Sequence, residues 1–279
     1  MARAFSQVDV FGSSPCGGNP VAVVLEAEGL ETGEMQRFAR WTNLSETTFV
    51  LPPSAPGADY RVRIFTPALE LPFAGHPTLG TCHAWLEAGG EPRDRDEIVQ
   101  ECDAGLVRIR REAGELAFAA PPLLRSGPAS AEDTARVAAT LGLDPAEILA
   151  VEWVDNGPGW IAVLLESAER VLELSPRSSE FDLDLGVVGF HPPGAEAAIE
   201  LRAFFPVNGV AVEDPVTGSL NASVAQWLLG SGRLTAPYLA TQGTAIGRSG
   251  RIQVSQDEAG TIWIGGRTET LVEGTVALS

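Results

Sequence analysis

The chain has 279 residues, 44% hydrophobic and 20% charged, with a formal net charge of −18. That length suits two compact lobes or one large domain, and the composition carries no sign of disorder. The acidic excess argues against a nucleic acid partner and against an anionic membrane surface, although local donors can still hold a small anion.

Three cysteines, Cys16, Cys82 and Cys102, are odd in number and irregularly spaced. No metal-ligand spacing links them to His76, His83 or His191, so free thiols, a reducing compartment and no metal are expected. Residues 1–5 run straight into a predicted strand without a signal-peptide core, and no apolar run is long enough to span a bilayer. The expected location is the cytoplasm.

In chain order, β-branched runs bounded by turn residues predict strands at 5–10, 21–25, 47–51, 60–66 and 106–111. An amphipathic pattern at 34–41 predicts a helix with Thr32 as its cap. A glycine turn, Phe73-Ala74-Gly75-His76-Pro77-Thr78-Leu79-Gly80, opens an apolar helical run that stops at Gly89-Gly90. A strand at 116–119, a Pro/Ser/Gly stretch that reads as a linker and a helix at 131–141 follow. Strands are expected near 151–154, 160–165 and 200–205. A second turn, Glu213-Asp214-Pro215-Val216-Thr217-Gly218-Ser219-Leu220, opens another apolar helix that stops at Gly230, and the tail reads as strands at 251–254, 261–264 and 269–278.

The chain repeats itself. Residues 21–26 align with 161–166 at an offset of 140, residues 62–67 with 201–206 at 139, and Thr78-Leu79 with Ser219-Leu220 at 141. Matches in the same order at nearly one offset predict a duplication. An all-round apolar helix must be enclosed, so each half is expected to be an α+β unit with a curved sheet around a central helix.

The two glycine turns look like halves of one active site. Each presents unpaired helix N–H groups to an anion, which predicts a small anionic substrate gripped between two lobes. Glu46 lies between a helix and an apolar strand. It is either an exposed strand-edge carboxylate or, at the mouth of a buried strand, a base with a raised pKa. His76 satisfies a turn carbonyl, lies at the surface, or titrates near neutrality and shuttles a proton. Asp214 is either a helix-terminus acid or a catalytic group. Arg248 could bring a cation to a substrate carboxylate or could pair with a nearby acid. Dinucleotide, Walker, nucleophile-elbow and zincin motifs are absent, which leaves acid–base chemistry without a cofactor.

Together these segments resemble the phenazine biosynthesis PhzF family. The resemblance rests on Asp9-Val10-Phe11, Gly18-Asn19-Pro20, Asn43-Leu44-Ser45-Glu46-Thr47, Ile64-Phe65-Thr66-Pro67 and both glycine turns, and it covers essentially the whole chain. It implies a diaminopimelate epimerase-like fold of two pseudo-symmetric β-barrels, each around a central helix. The implied lobes are 1–118 with 266–279 crossing back, and 119–265. Homodimers are implied as well. Relatives that racemise with two cysteines would place them at Ala74 and Pro215 here, so two-thiol chemistry is not expected. The implied activity is cofactor-independent isomerisation of a small carboxylated metabolite, as for trans-2,3-dihydro-3-hydroxyanthranilate. Glu46 would take the proton from C3 and return it to C1, and His76 and Asp214 would assist. Gly75, Thr217, Gly218 and Ser219 would line the substrate. The alternatives are an epimerase with Glu46 and Asp214 as opposed bases, and a non-catalytic metabolite-binding protein.

Overall fold

Turn residues cut this chain into short strands whose apolar side chains pack against helices, among them the one carrying Met35 and Phe38 in the first half and those carrying Val137, Leu141 and Val171 in the second. The computed structural model describes residues 2–112, 114–176 and 181–278, and it divides into two compact units, Met1–Ala119 with Ile264–Ser279 and Ala120–Trp263. The first unit contains β1 (Ala2–Val10), β2 (Asn19–Val24), α1 (Thr32–Thr42), β3 (Glu46–Leu51), β4 (Tyr60–Phe65), β5 (Glu70–Leu71), α2 (Gly75–Glu87), β6 (Glu97–Cys102), β7 (Gly105–Glu112) and β8 (Glu115–Ala119). The second contains β9 (Arg125–Pro128), α3 (Ala131–Leu141), β10 (Ile148–Asp155), β11 (Ile161–Leu165), α4 (Ala168–Leu172), β12 (Leu185–Phe190), β13 (Ile199–Val207), β14 (Val210–Asp214), α5 (Gly218–Gly230), β15 (Tyr238–Gln242) and β16 (Gly250–Gln256). β17 (Ile262–Gly266) precedes β18 (Thr268–Ala277), which pairs antiparallel with β1 inside the first unit.

The units share one connectivity. In the first, β2 and β3 pair in parallel across the α1 crossover. Then β4 pairs antiparallel with β3, the short β5 hairpins back, α2 follows, and β6 returns parallel to β4. In the second, β11, α4, β12, β13, β14, α5 and β15 repeat every step. Parallel neighbours need a crossover helix, so each unit mixes parallel and antiparallel pairs. Among the described residues the sheet is not closed, unlike the barrels that the resemblance implied.

Both central helices are buried on every side. Residues 75–82 of α2 and 218–225 of α5 have no exposed face. In α2 the packing requires Gly80, because a Cβ there would lie 2.3 Å from Val21 Cγ1.

Strand registers and a helix cap correct two sequence expectations. Phe65 faces Glu70 and Phe204 faces Glu213, so the hairpin of β13 and β14 holds four more residues than that of β4 and β5. The extra residues carry the offset from 139 to 143, and Gly75 matches Gly218. The counterpart of Ala74 is therefore Thr217, not Pro215, and His76 corresponds to Ser219. Thr32 is not the cap of α1. Glu31 is, and its N–H donates to Glu34 at 3.1 Å, while the Thr32 hydroxyl accepts from Arg63.

Candidate active site

In the first unit, β2 and β3 run in parallel with Val21 opposite Glu46, so Asn19 and Glu46 begin neighbouring strands. The N-terminus of α2 brings His76 to the same place. His76 Nε2 lies 3.3 Å from Glu46 Oε2, with the side chains 4% and 14% exposed. On the other side of the ring, Asn19 Nδ2 lies 3.3 Å from Nδ1. Asn19 is fully buried, and the turn before it is fixed by Asp9, which accepts the Gly18 N–H at 3.1 Å on each oxygen. Only glycine fits at position 18, since a Cβ would lie 2.1 Å from the Val10 carbonyl oxygen.

Burial pushes the His76 pKa down to about 3, and the hydrogen bond to the Pro20 carbonyl opposes this without reversing it. The imidazole is neutral at ordinary pH, against the sequence alternative in which it titrates near neutrality. Its contact with Glu46 is thus a neutral ring beside a carboxyl group, not an ion pair.

In the second unit, β14 ends at Asp214 and Thr217 caps α5 by position. The Thr217 hydroxyl donates to Asp214 Oδ2 at 2.6 Å. Gln242, at the end of β15 and fully buried, binds this turn four ways. Its Oε1 accepts from Thr217 N at 3.0 Å and Asn221 Nδ2 at 2.9 Å, and its Nε2 donates to Thr217 Oγ1 at 2.9 Å and the Asp214 carbonyl at 3.2 Å. Ser219 is held by Trp160 Nε1, which donates to its Oγ at 3.1 Å, and by Asn156, which donates to its carbonyl. The Arg248 backbone closes the following turn on Gly243 O.

Neither α2 nor α5 has a side-chain cap bond or an acidic residue in its first turn. Their N-terminal donors and dipoles therefore remain available to an anion. Gly75 and Gly218 stand first in these helices. Glu46, His76 and Gly75 thus gather in one unit, and Asp214, Thr217, Gly218 and Ser219 in the other.

Sequence reading missed Asn19 as a partner of His76, although it stood in a quoted motif. It gave Gln242 no role, because nothing 25 residues downstream of Thr217 marks a contact that only the sheet creates. It also missed Asp184, just before β12, whose carboxyl is pushed up to about 6 by burial and then by Asp155. Among the described residues no three His, Cys, Asp or Glu could hold a metal ion together. No helix among them is long and apolar enough to cross a membrane.

Residues 8–275 match the family described as phenazine biosynthesis-like protein. The chain belongs to the phenazine biosynthesis-like protein family. It is 36% identical to trans-2,3-dihydro-3-hydroxyanthranilate isomerase of Pseudomonas aeruginosa, over 97% of this chain and 98% of that protein. It is 35% identical to antisense-enhancing sequence 1 of Schizosaccharomyces pombe, over 98% of each. Its fold is similar to the PhzF-family protein of Bacillus anthracis, with a TM-score of 0.83 at 24% identity and full coverage of both chains. It is also similar to a hydroxyproline epimerase of Agrobacterium vitis, with a TM-score of 0.61 at 15% identity over 99% of this chain and 93% of that one. The family relatives named as isomerases make this family member an isomerase.

Proposed function

We propose that this isomerase moves a proton within a small carboxylated ring similar to trans-2,3-dihydro-3-hydroxyanthranilate, with Glu46 as general acid and base. The observation that carries the reading is the Glu46 carboxyl at 3.3 Å from a neutral, buried imidazole. Glu46 removes the proton from C3 and returns it to C1. One carboxyl accepts and then donates, so the step balances without any other proton source. Neutral His76 puts no fixed positive charge beside Glu46, so the carboxyl is not held ionised and can change protonation state. Asp214 and the backbone donors of Gly75, Gly218 and Ser219 are assigned to the substrate's polar groups.

The test is conversion of trans-2,3-dihydro-3-hydroxyanthranilate in D2O, followed by proton NMR. Wild-type protein is expected to turn it over. Glu46→Gln is expected to bind it but to lose roughly a thousandfold in rate, within the range for a lost general base. Conversion by the variant within a few fold of wild type overturns the role of Glu46, and no conversion by wild type overturns the substrate. Homodimerisation and a cytoplasmic location are carried over from the family resemblance, and sedimentation equilibrium and fractionation test them.

A further inference from the structure

The duplication supplies an internal control for the turn that carries Asp214. Ile64 faces Leu71 as Ala203 faces Asp214, so Leu71 and Asp214 are counterparts. Ala74 and Thr217 stand before the first residues of α2 and α5. Arg61 faces Glu101 as Glu200 faces Thr241, and the next positions, Cys102 and Gln242, face Gly105 and Gly250. Three matched positions therefore read Leu71, Ala74 and Cys102 in one unit and Asp214, Thr217 and Gln242 in the other. The fold needs no polar group at any of them, yet one copy has all three, joined by hydrogen bonds.

The direction of those bonds is determined. Thr217 N and Asn221 Nδ2 can only donate, so the Gln242 atom facing both is its carbonyl oxygen. The Gln242 amide nitrogen then faces Thr217 Oγ1 and donates to it. With that lone pair used, the Thr217 proton points to Asp214 Oδ2, 2.6 Å away. Such a donor favours a carboxylate over a protonated acid.

We propose that Gln242 is a positioning residue of the isomerase, which turns the Thr217 hydroxyl into a one-way donor and thereby holds Asp214 as an acceptor-only carboxylate. Thr217 is then a link between Gln242 and Asp214, not a substrate contact. The inference rests on the assignment of Asp214 to the reacting site, but its structural part can be measured without a substrate.

The experiment compares wild type, Gln242→Glu, Gln242→Met, Thr217→Ala and the double variant Gln242→Met/Thr217→Ala. Asp214 is followed by carbon-13 NMR of labelled aspartate, its signal identified by its loss in Asp214→Asn. In Gln242→Met, and equally in Thr217→Ala, Asp214 is expected to protonate about one pH unit higher than in wild type, and in Gln242→Glu, whose added charge repels Asp214 directly, at least as far. The double variant is expected to shift no further, because Gln242 acts through Thr217. With substrate, kcat should fall about tenfold with KM within about threefold, and the acidic limb of the rate profile should follow the NMR midpoint. An unchanged Asp214 midpoint in the folded variants overturns the proposal, as does an additive double variant. Gln242→Met leaves no new charge to bury, so it carries the comparison if the glutamate variant does not fold. If wild type converts no substrate, the proposed reaction fails while the NMR titration still decides the role of Gln242.

Discussion

A charged imidazole at His76 would have to give up nearly all its water, since the ring is enclosed by Asn19, Glu46 and the Pro20 carbonyl. The unfolded chain takes up a proton near pH 6.5, whereas folded His76 refuses one until about pH 3. Between these values the unfolded state binds more protons, so stability falls as pH drops through that window and is fully present above it. Urea unfolding at pH 7.5 and pH 4 should therefore show a loss in wild type, on the order of 3 kcal/mol of which disappears in His76→Gln. An equal pH dependence in both proteins would mean that His76 is hydrated and titrates normally. The glycine turn made His76 visible as a candidate from sequence. Its neutrality was not visible, because burial comes from strands dozens of residues away.

At the scale of elements, the repeat was legible because its strands are apolar and its helices open on glycine. Helix α3 and most strand cores lie where the residue pattern puts them. β12 does not read as a strand from sequence, since Leu185-Gly186-Val187-Val188-Gly189-Phe190 has two glycines that lower strand propensity. Both are packing requirements. A Cβ at Gly186 would meet Leu220 of α5 at 2.4 Å, and one at Gly189 would meet the Ser167 carbonyl oxygen at 2.3 Å. The repeat also built one clamp twice. Arg63 grips Glu70 with two bonds of 2.7 Å, and Arg202 grips Glu213 with bonds of 3.0 and 2.6 Å. Their environments differ: the first pair is 20% and 31% exposed, the second 7% and 10%. Arg202 also donates to the carbonyls of Val171 and Leu174 at the end of α4. Breaking the buried clamp strands a carboxylate away from water, whereas breaking the exposed one does not. Arg202→Met should thus cost about 3–5 kcal/mol in urea unfolding, and Arg63→Met about 1 kcal/mol or less. Equal losses would show that hydrogen-bond geometry outweighs burial.

At the scale of the whole chain, its last strand completes its first unit. β18 pairs with β1 from Ala2 opposite Ala277 to Val10 opposite Thr268, with one irregularity after Gln7. Its start is tied to α2: the Thr268 hydroxyl lies 3.0 Å from His83 Nδ1, and Thr270 donates to Glu87 at 2.6 Å. β1 in turn pairs with β2, whose first residue, Asn19, supports His76. Many β18 side chains are exposed, so its contribution lies more in the ladder and these anchors than in apolar burial. Removing residues 267–279 would leave the β1 edge open and His83 and Glu87 without these hydroxyl partners, and an open edge is also a template for aggregation. Hydrogen exchange read by mass spectrometry is therefore expected to speed up in β1, β2 and α2 of the truncated chain, while β11, β12 and β13 keep their protection. Adding a peptide of residues 267–279 should slow exchange in β1 and α2 again, because the ladder depends on pairing and not on chain continuity. Equal acceleration in β11–β13 would mean that the two units open as one cooperative body. Unchanged exchange in β1 would mean that β18 contributes nothing to holding the strand that leads to Asn19.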